Sequence, residues 1–173
     1  DSQINGIRNY SNNNVNIFDF ATDSLIRQPQ NMAFRRWYAT AVTLSNGDHV
    51  VLGGRNNKPF VGSSTKPSTE ASYSPTPEIR ALNGGWRSLI SASSEEAYGE
   101  LGGSAWNYPR AWLNPQGHIF IINHAGAMYS LNTSGSGSLI KHKERTDPSS
   151  PSLPSLMFAP GRILSIRKNR VAV

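Results

Sequence analysis

The chain has 173 residues, of which 37% are hydrophobic and 16% are charged, and its formal net charge is +6. This hydrophobic content is enough for one globular domain with a core, which excludes a disordered tail. The absence of cysteine excludes disulfides and thiolate metal sites within the chain, and no apolar run approaches the roughly 20 residues that a membrane helix needs.

The first predicted elements are two short strands. Apolar and polar residues alternate from Val15 through Phe20, which predicts a strand. Ala21-Thr22-Asp23 then turns the chain toward a return strand that contains Leu25 and Ile26.

A repeated pattern of apolar run, glycine turn and second apolar run follows. Asn-Gly and Pro-Gly sequences supply the backbone angles of tight turns, so each copy predicts a β-hairpin. The three copies span residues 39–54, 110–123 and 155–167, with Gly47, Gly117 and Gly161 aligned in their turns. Weaker hairpins with aromatic residues and polar turns are predicted at residues 72–89 and 127–142, and a helix at 95–103.

Two hairpins make four strands, and four-stranded antiparallel sheets repeated along a chain are the blades of a propeller. We therefore predict an all-β, kelch-type β-propeller, with a β-sandwich as the alternative. The predicted units are a blade end at 1–32, blades at 33–91 and 103–145, and a blade start at 153–173. A ring needs about 4 to 8 blades, so we expect about three blades of an incomplete ring, from a longer protein.

The segment RWYATAVTLSNGDHVVLGG resembles the hairpin that opens a kelch blade in the copper radical oxidases, the glyoxal oxidase and galactose oxidase group. The matching positions are Arg36, Tyr38, Leu44, Gly47, Gly53 and Gly54. Segments NIFDFATDSLIRQPQNM and MYSLNTSGSGSL agree more weakly. The resemblance extends in order over most of the chain.

The resemblance implies a catalytic role for Tyr38, as copper ligand, cofactor-binding residue and radical site. In this family the matching tyrosine is joined covalently to a cysteine, and the enzymes oxidise a small aldehyde or primary alcohol with O₂ to give H₂O₂. Arg36 and Trp37 are expected to pack around Tyr38. The cysteine, a second tyrosine and two histidines would have to come from outside this chain, and Asn56 stands where galactose oxidase has a covering tryptophan.

Other classes of function are less well supported by the residues. A non-catalytic kelch propeller that binds carbohydrate or protein remains the alternative. The basic residues do not form a strip interleaved with aromatics, so no nucleic acid partner is expected. The histidines show no ligand spacing: His49 and His118 are interpreted as edge or surface residues, and His124 and His142 have no metal-binding partner in sequence. We expect a secreted or cell-surface protein, which the possible glycosylation acceptor Asn132-Thr133-Ser134 would suit.

Overall fold

The computed structural model describes residues 11–56, 73–150 and 152–167, together with the backbone of 171–172. Its regular structure is dominated by antiparallel strands in four sheets, two of which have four strands each. The all-β prediction is thereby confirmed, and none of the described sheets closes on itself.

The first four-stranded sheet is an antiparallel meander in the order β3-β4-β5-β6. Its strands are β3 (Thr40–Thr43), β4 (His49–Leu52), β5 (Glu78–Arg80) and β6 (Trp86–Ser88). Thr40 pairs with Leu52 and Thr43 with His49, so the turn between β3 and β4 is centred on the predicted Asn-Gly. Gly47 adopts a positive φ of 85° there, which explains why glycine is required.

The second four-stranded sheet repeats this arrangement in the order β7-β8-β9-β10. Its strands are β7 (Arg110–Leu113), β8 (Ile119–Ile122), β9 (Ala127–Asn132) and β10 (Ser138–Arg145). Each strand pairs with the next one along the chain. Two consecutive four-stranded meanders are the arrangement expected for propeller blades.

Two smaller sheets precede and follow this pair in the sequence. The two-stranded sheet contains β1 (Asn16–Asp19) and β2 (Ser24–Arg27), and the three-stranded sheet contains β11 (Ser155–Ala159), β12 (Arg162–Ile166) and β13 (Val171–Ala172). The predicted helix at 95–103 is replaced by two single turns, α1 (Glu95–Tyr98) and α2 (Leu101–Ser104), because Gly99 leaves the helical conformation at φ −107° and ψ −145°. A 3-10 turn at Ile90–Ala92 precedes them.

The hydrophobic core lies between the two four-stranded sheets. Buried apolar side chains from β4 and β5 join those of β8 and β9, and the connection between the sheets adds Leu89, Ala97 and Tyr98. The first strands of the two sheets, β3 and β7, also contact each other. The Thr40 hydroxyl donates a 2.7 Å hydrogen bond to the carbonyl of Pro109 at this junction. The described helices are all too short to cross a membrane.

Candidate functional site

Tyr38 lies at the junction between an anchored segment and the first strand of its sheet. Trp37 and Arg55 exchange backbone hydrogen bonds of 3.0 and 2.8 Å, and β3 begins two residues after Tyr38, at Thr40. Between these fixed points, Tyr38 adopts a left-handed backbone with φ 61°. This conformation costs a residue with a side chain about 1–2 kcal/mol, and such strain is concentrated at functional sites.

The left-handed backbone has a direct effect on the side chains. In an extended strand, successive side chains point to opposite faces, so Trp37 and Tyr38 would be separated. Here their rings stack instead, with centroids 3.8 Å apart and planes inclined by 19°. Trp37 therefore covers the Tyr38 ring. In the sequence, the position expected to supply such a covering ring holds Asn56 instead.

Tyr108 occupies the same place in the next sheet. It precedes Gly117 by nine residues, just as Tyr38 precedes Gly47 by nine residues, and each tyrosine lies two residues before the first strand of its sheet. Its backbone is also left-handed, with φ 47°. The Tyr108 N–H donates a 2.9 Å hydrogen bond to the Tyr38 carbonyl. This bond links the backbones of the two left-handed residues directly.

The two phenol rings also stack on one another. Their centroids are 4.9 Å apart and their planes are inclined by 29°. Tyr38 is 37% exposed and Tyr108 is 48% exposed. The ring of Tyr38 is thus stacked on two aromatic partners, Trp37 and Tyr108, while part of the residue remains open to solvent.

Further aromatic groups extend this stack. Trp106 lies 6.5 Å from Trp37 and 5.7 Å from Tyr73, measured between ring centroids, and the Arg55 guanidinium lies 5.9 Å from the Trp106 ring. Burial raises the pKa of Tyr73, and a hydrogen bond to the Glu100 carboxylate adds to this. We call the five rings of Trp37, Tyr38, Tyr73, Trp106 and Tyr108 the aromatic array.

Gly53 and Gly54 allow the aromatic array to assemble across two sheets. A Cβ atom on Gly53 would lie 2.6 Å from Pro109 Cγ and 2.8 Å from the Trp106 carbonyl oxygen. The Gly54 N–H donates a 2.7 Å hydrogen bond to that same carbonyl. The Gly-Gly pair at the end of the hairpin is needed because the segment carrying Trp106 and Tyr108 packs directly against it.

Arg36 is not part of the covering expected around Tyr38. Its guanidinium is buried and forms an ion pair with Glu78, with Nη2 2.9 Å from Oε2. It also donates to the backbone carbonyls of Gly53 at 2.6 Å and Thr76 at 2.6 Å. Burial lowers the pKa of Arg36, and Glu78 opposes that shift. Arg36 therefore anchors the backbone at Gly53 and Thr76.

Metal-binding groups are scarce near Tyr38. No cluster of three or more His, Cys, Asp or Glu residues suited to a metal ion occurs in the described part of the chain. Copper(II) prefers several nitrogen and oxygen donors in a tetragonal arrangement. The described residues therefore do not make a complete copper centre.

The histidines lie in structural positions. The Nδ1 of His49 is 3.1 Å from the Thr43 hydroxyl on the neighbouring strand, and the Nε2 of His142 is 2.8 Å from the Ser130 hydroxyl. His118 is half-buried after its turn and His124 is buried after β8. His49 is likewise half-buried.

The comparisons with known proteins identify a solved structure with a similar fold. No family model matches the chain, and neither does any curated protein sequence. A fungal alcohol oxidase of the AA5 family, solved in complex with copper, superposes with a TM-score of 0.68 at 19% sequence identity. The match covers 90% of this chain but 31% of that oxidase. The chain therefore has the fold of about a third of a copper-containing alcohol oxidase.

Proposed function

We propose that this chain is part of a copper radical oxidase that oxidises a primary alcohol or small aldehyde with O₂, giving H₂O₂. The observation that carries the proposal is the state of Tyr38, a strained, partly exposed phenol stacked on Trp37 at the position where the family motif has its redox tyrosine. The likeness in fold to a fungal alcohol oxidase in complex with copper supports it. The four sheets are, in this proposal, successive blades or parts of blades.

The residues of this chain would prepare the phenol for that chemistry. The rings of Trp37 and Tyr108 stack on the Tyr38 ring, and aromatic stacking fixes its orientation. Arg36 and Glu78 hold the underlying backbone. The hydroxyl of Tyr38 is proposed as one copper ligand and as the group that is oxidised, since copper supplies one-electron redox chemistry when bound.

The remaining parts of the centre would be supplied by a longer protein. Because the chain spans 31% of the neighbour's length, the histidine, tyrosine and cysteine groups that the family uses would come from outside the described residues. We also propose that the longer protein is secreted or displayed at the cell surface, where H₂O₂ is released outside the cell.

The test is to express the longer natural protein that contains this chain and to measure H₂O₂ formation from primary alcohols and small aldehydes. Tyr38→Phe keeps the ring and removes the oxygen, so we expect H₂O₂ formation to fall to background and copper content to decrease. Tyr98→Phe is the matched control, because Tyr98 is a buried core residue that donates a 2.7 Å hydrogen bond to the Ala92 carbonyl. An oxidase whose turnover is unchanged by Tyr38→Phe would show that the assignment is wrong.

Copper titration of the 173-residue chain gives a second, independent measurement. We expect no tight stoichiometric binding, because the described residues contain no multidentate cluster of metal-binding side chains. A tight copper(II) site in the isolated chain would mean that the ligands are placed incorrectly.

The partly exposed aromatic array favours a second candidate, a propeller that binds a ring-shaped ligand such as a carbohydrate without catalysis. Flat aromatic surfaces stack well on such ligands. Tyr38→Phe distinguishes the two candidates, because the phenyl ring would preserve stacking while removing the redox oxygen. The binding module would be supported if the natural protein forms no H₂O₂ and if Tyr38→Phe leaves its carbohydrate affinity unchanged.

A further inference from the structure

Tyr38 and Tyr108 are unusual among the described tyrosines in being close, strained and accessible together. Their ring centroids are 4.9 Å apart, their backbones are both left-handed, and one backbone hydrogen bond joins them directly. Both residues are more than one third exposed. A small oxidant can therefore reach two phenol rings that are already held in contact.

The two core tyrosines lack these properties. Tyr98 and Tyr129 are buried, and burial raises the pKa of both phenols. A phenol loses an electron most readily together with its proton, so a buried phenol with no exposed oxygen is a poorer site of oxidation. This difference predicts that Tyr38 and Tyr108 are oxidised in preference to Tyr98 and Tyr129.

We infer that Tyr38 and Tyr108 form a two-phenol oxidation site, in which each ring loses one electron and one proton and the two side chains become joined. The electrons pass to two equivalents of a one-electron oxidant, and the protons pass to water. The two phenoxyl radicals form one carbon–carbon bond between ring carbons next to the hydroxyls. The hydrogens on those carbons move to the oxygens, so the product is dityrosine and the chain has lost two hydrogen atoms.

The role of this site in the cell rests on the proposed function. An enzyme that generates a phenoxyl radical at Tyr38 places that radical against the ring of Tyr108 in every molecule. Tyr108 would then be the tyrosine in contact with that radical, beside the stacked Trp37, and the cross-link would be a modification that ends or alters the reactivity of the site.

The test uses the 173-residue chain, the outer-sphere oxidant hexachloroiridate(IV), and neither copper nor alcohol. After two equivalents of oxidant, trypsin should release a linked pair of peptides covering residues 37–55 and 88–110, lighter than their sum by two hydrogen atoms. Dityrosine fluorescence should rise in proportion. In denaturant the pairing should lose its selectivity, because the contact between the rings depends on the fold.

The variants separate the phenols. Tyr108→Phe preserves the ring and should abolish the linked pair, while Tyr98→Phe should leave it, which matters because Tyr98 lies in the same tryptic peptide as Tyr108. Near-ultraviolet circular dichroism checks that each variant keeps its aromatic packing. Linkage of Tyr38 to a different tyrosine, or full consumption of oxidant with both rings intact, would overturn the inference. Failure of copper binding or H₂O₂ formation would instead overturn the proposed function alone.

Discussion

Replacing Glu78 with glutamine is expected to lower the free energy of unfolding by about 3–5 kcal/mol, because it leaves the buried Arg36 guanidinium without its counter-ion. Both side chains are only 1% exposed. Glu78 also accepts a 2.6 Å hydrogen bond from the Ala33 backbone N–H. Glutamine has nearly the same shape as glutamate, so the decrease in the free energy of unfolding reflects the lost charge and hydrogen bonding and no change in side-chain volume. Urea denaturation followed by circular dichroism measures it.

An exposed ion pair between a glutamate and a basic side chain is the control for this experiment. Lys141 and Glu96 lie 2.5 Å apart, but their side chains are 53% and 43% exposed. Exposed pairs contribute about 0–1 kcal/mol, so Glu96→Gln should have a small effect. Adding Arg36→Met to Glu78→Gln should recover part of the lost stability, since no buried charge then remains. Equal losses for Glu78→Gln and Glu96→Gln would contradict this account.

Gly53→Ala is expected to lower the free energy of unfolding by about 2–5 kcal/mol and to disturb the aromatic array. A left-handed backbone costs a residue with a side chain about 1–2 kcal/mol, and overpacking costs about 1–3 kcal/mol. Gly53 has φ 69°, and its added Cβ would meet the Trp106 carbonyl oxygen at 2.8 Å. Moving that carbonyl moves the segment that ends in Tyr108.

Gly117→Ala is the matched control for this prediction. Gly117 has φ 80°, but nothing lies within 4 Å of the position of its added Cβ. It therefore incurs the backbone cost alone, and the difference between the two variants measures the close approach at Gly53. Denaturant unfolding gives the stabilities, and near-ultraviolet circular dichroism gives the packing of the rings. If both variants lose the same stability and keep the same spectrum, the proposed role of Gly53 is wrong.

The hairpins could be predicted because their determinants are local. Gly47, Gly117 and Gly161 each sit between two short apolar runs, and turn chemistry together with alternation is enough to place a hairpin. All three glycines have a positive φ in the structure. Neighbouring hairpins then pair in chain order, which makes antiparallel meanders the simplest assembly.

The partners of Tyr38 could not be predicted in the same way. Trp37 and Tyr38 are adjacent in sequence, and extended backbone would put their side chains on opposite faces. Only the left-handed φ of Tyr38 brings the two rings together. Arg36 and Glu78 are 42 positions apart, and nothing local marks them as a pair.

Tyr108 is marked in the sequence by its spacing, although the hairpin pattern and the family motif do not single it out. Its distance from Gly117 equals that of Tyr38 from Gly47, so aligning the hairpins back from their glycines identifies it as the counterpart of Tyr38. The contact between the two rings still depends on Gly53, which lets the segment from Trp106 to Pro109 approach. Repeat alignment finds the residue, but close packing between sheets determines the contact.

The hydrogen bond from Tyr108 to Tyr38 connects the segments that lead into two different sheets. The separation of the phenols is therefore set by how one sheet is docked on the other, and a small tilt between them slides one ring across its neighbour. Any change in this docking would therefore alter the contact between the two rings. The geometry of this pair of rings therefore depends on the relative position of the two sheets.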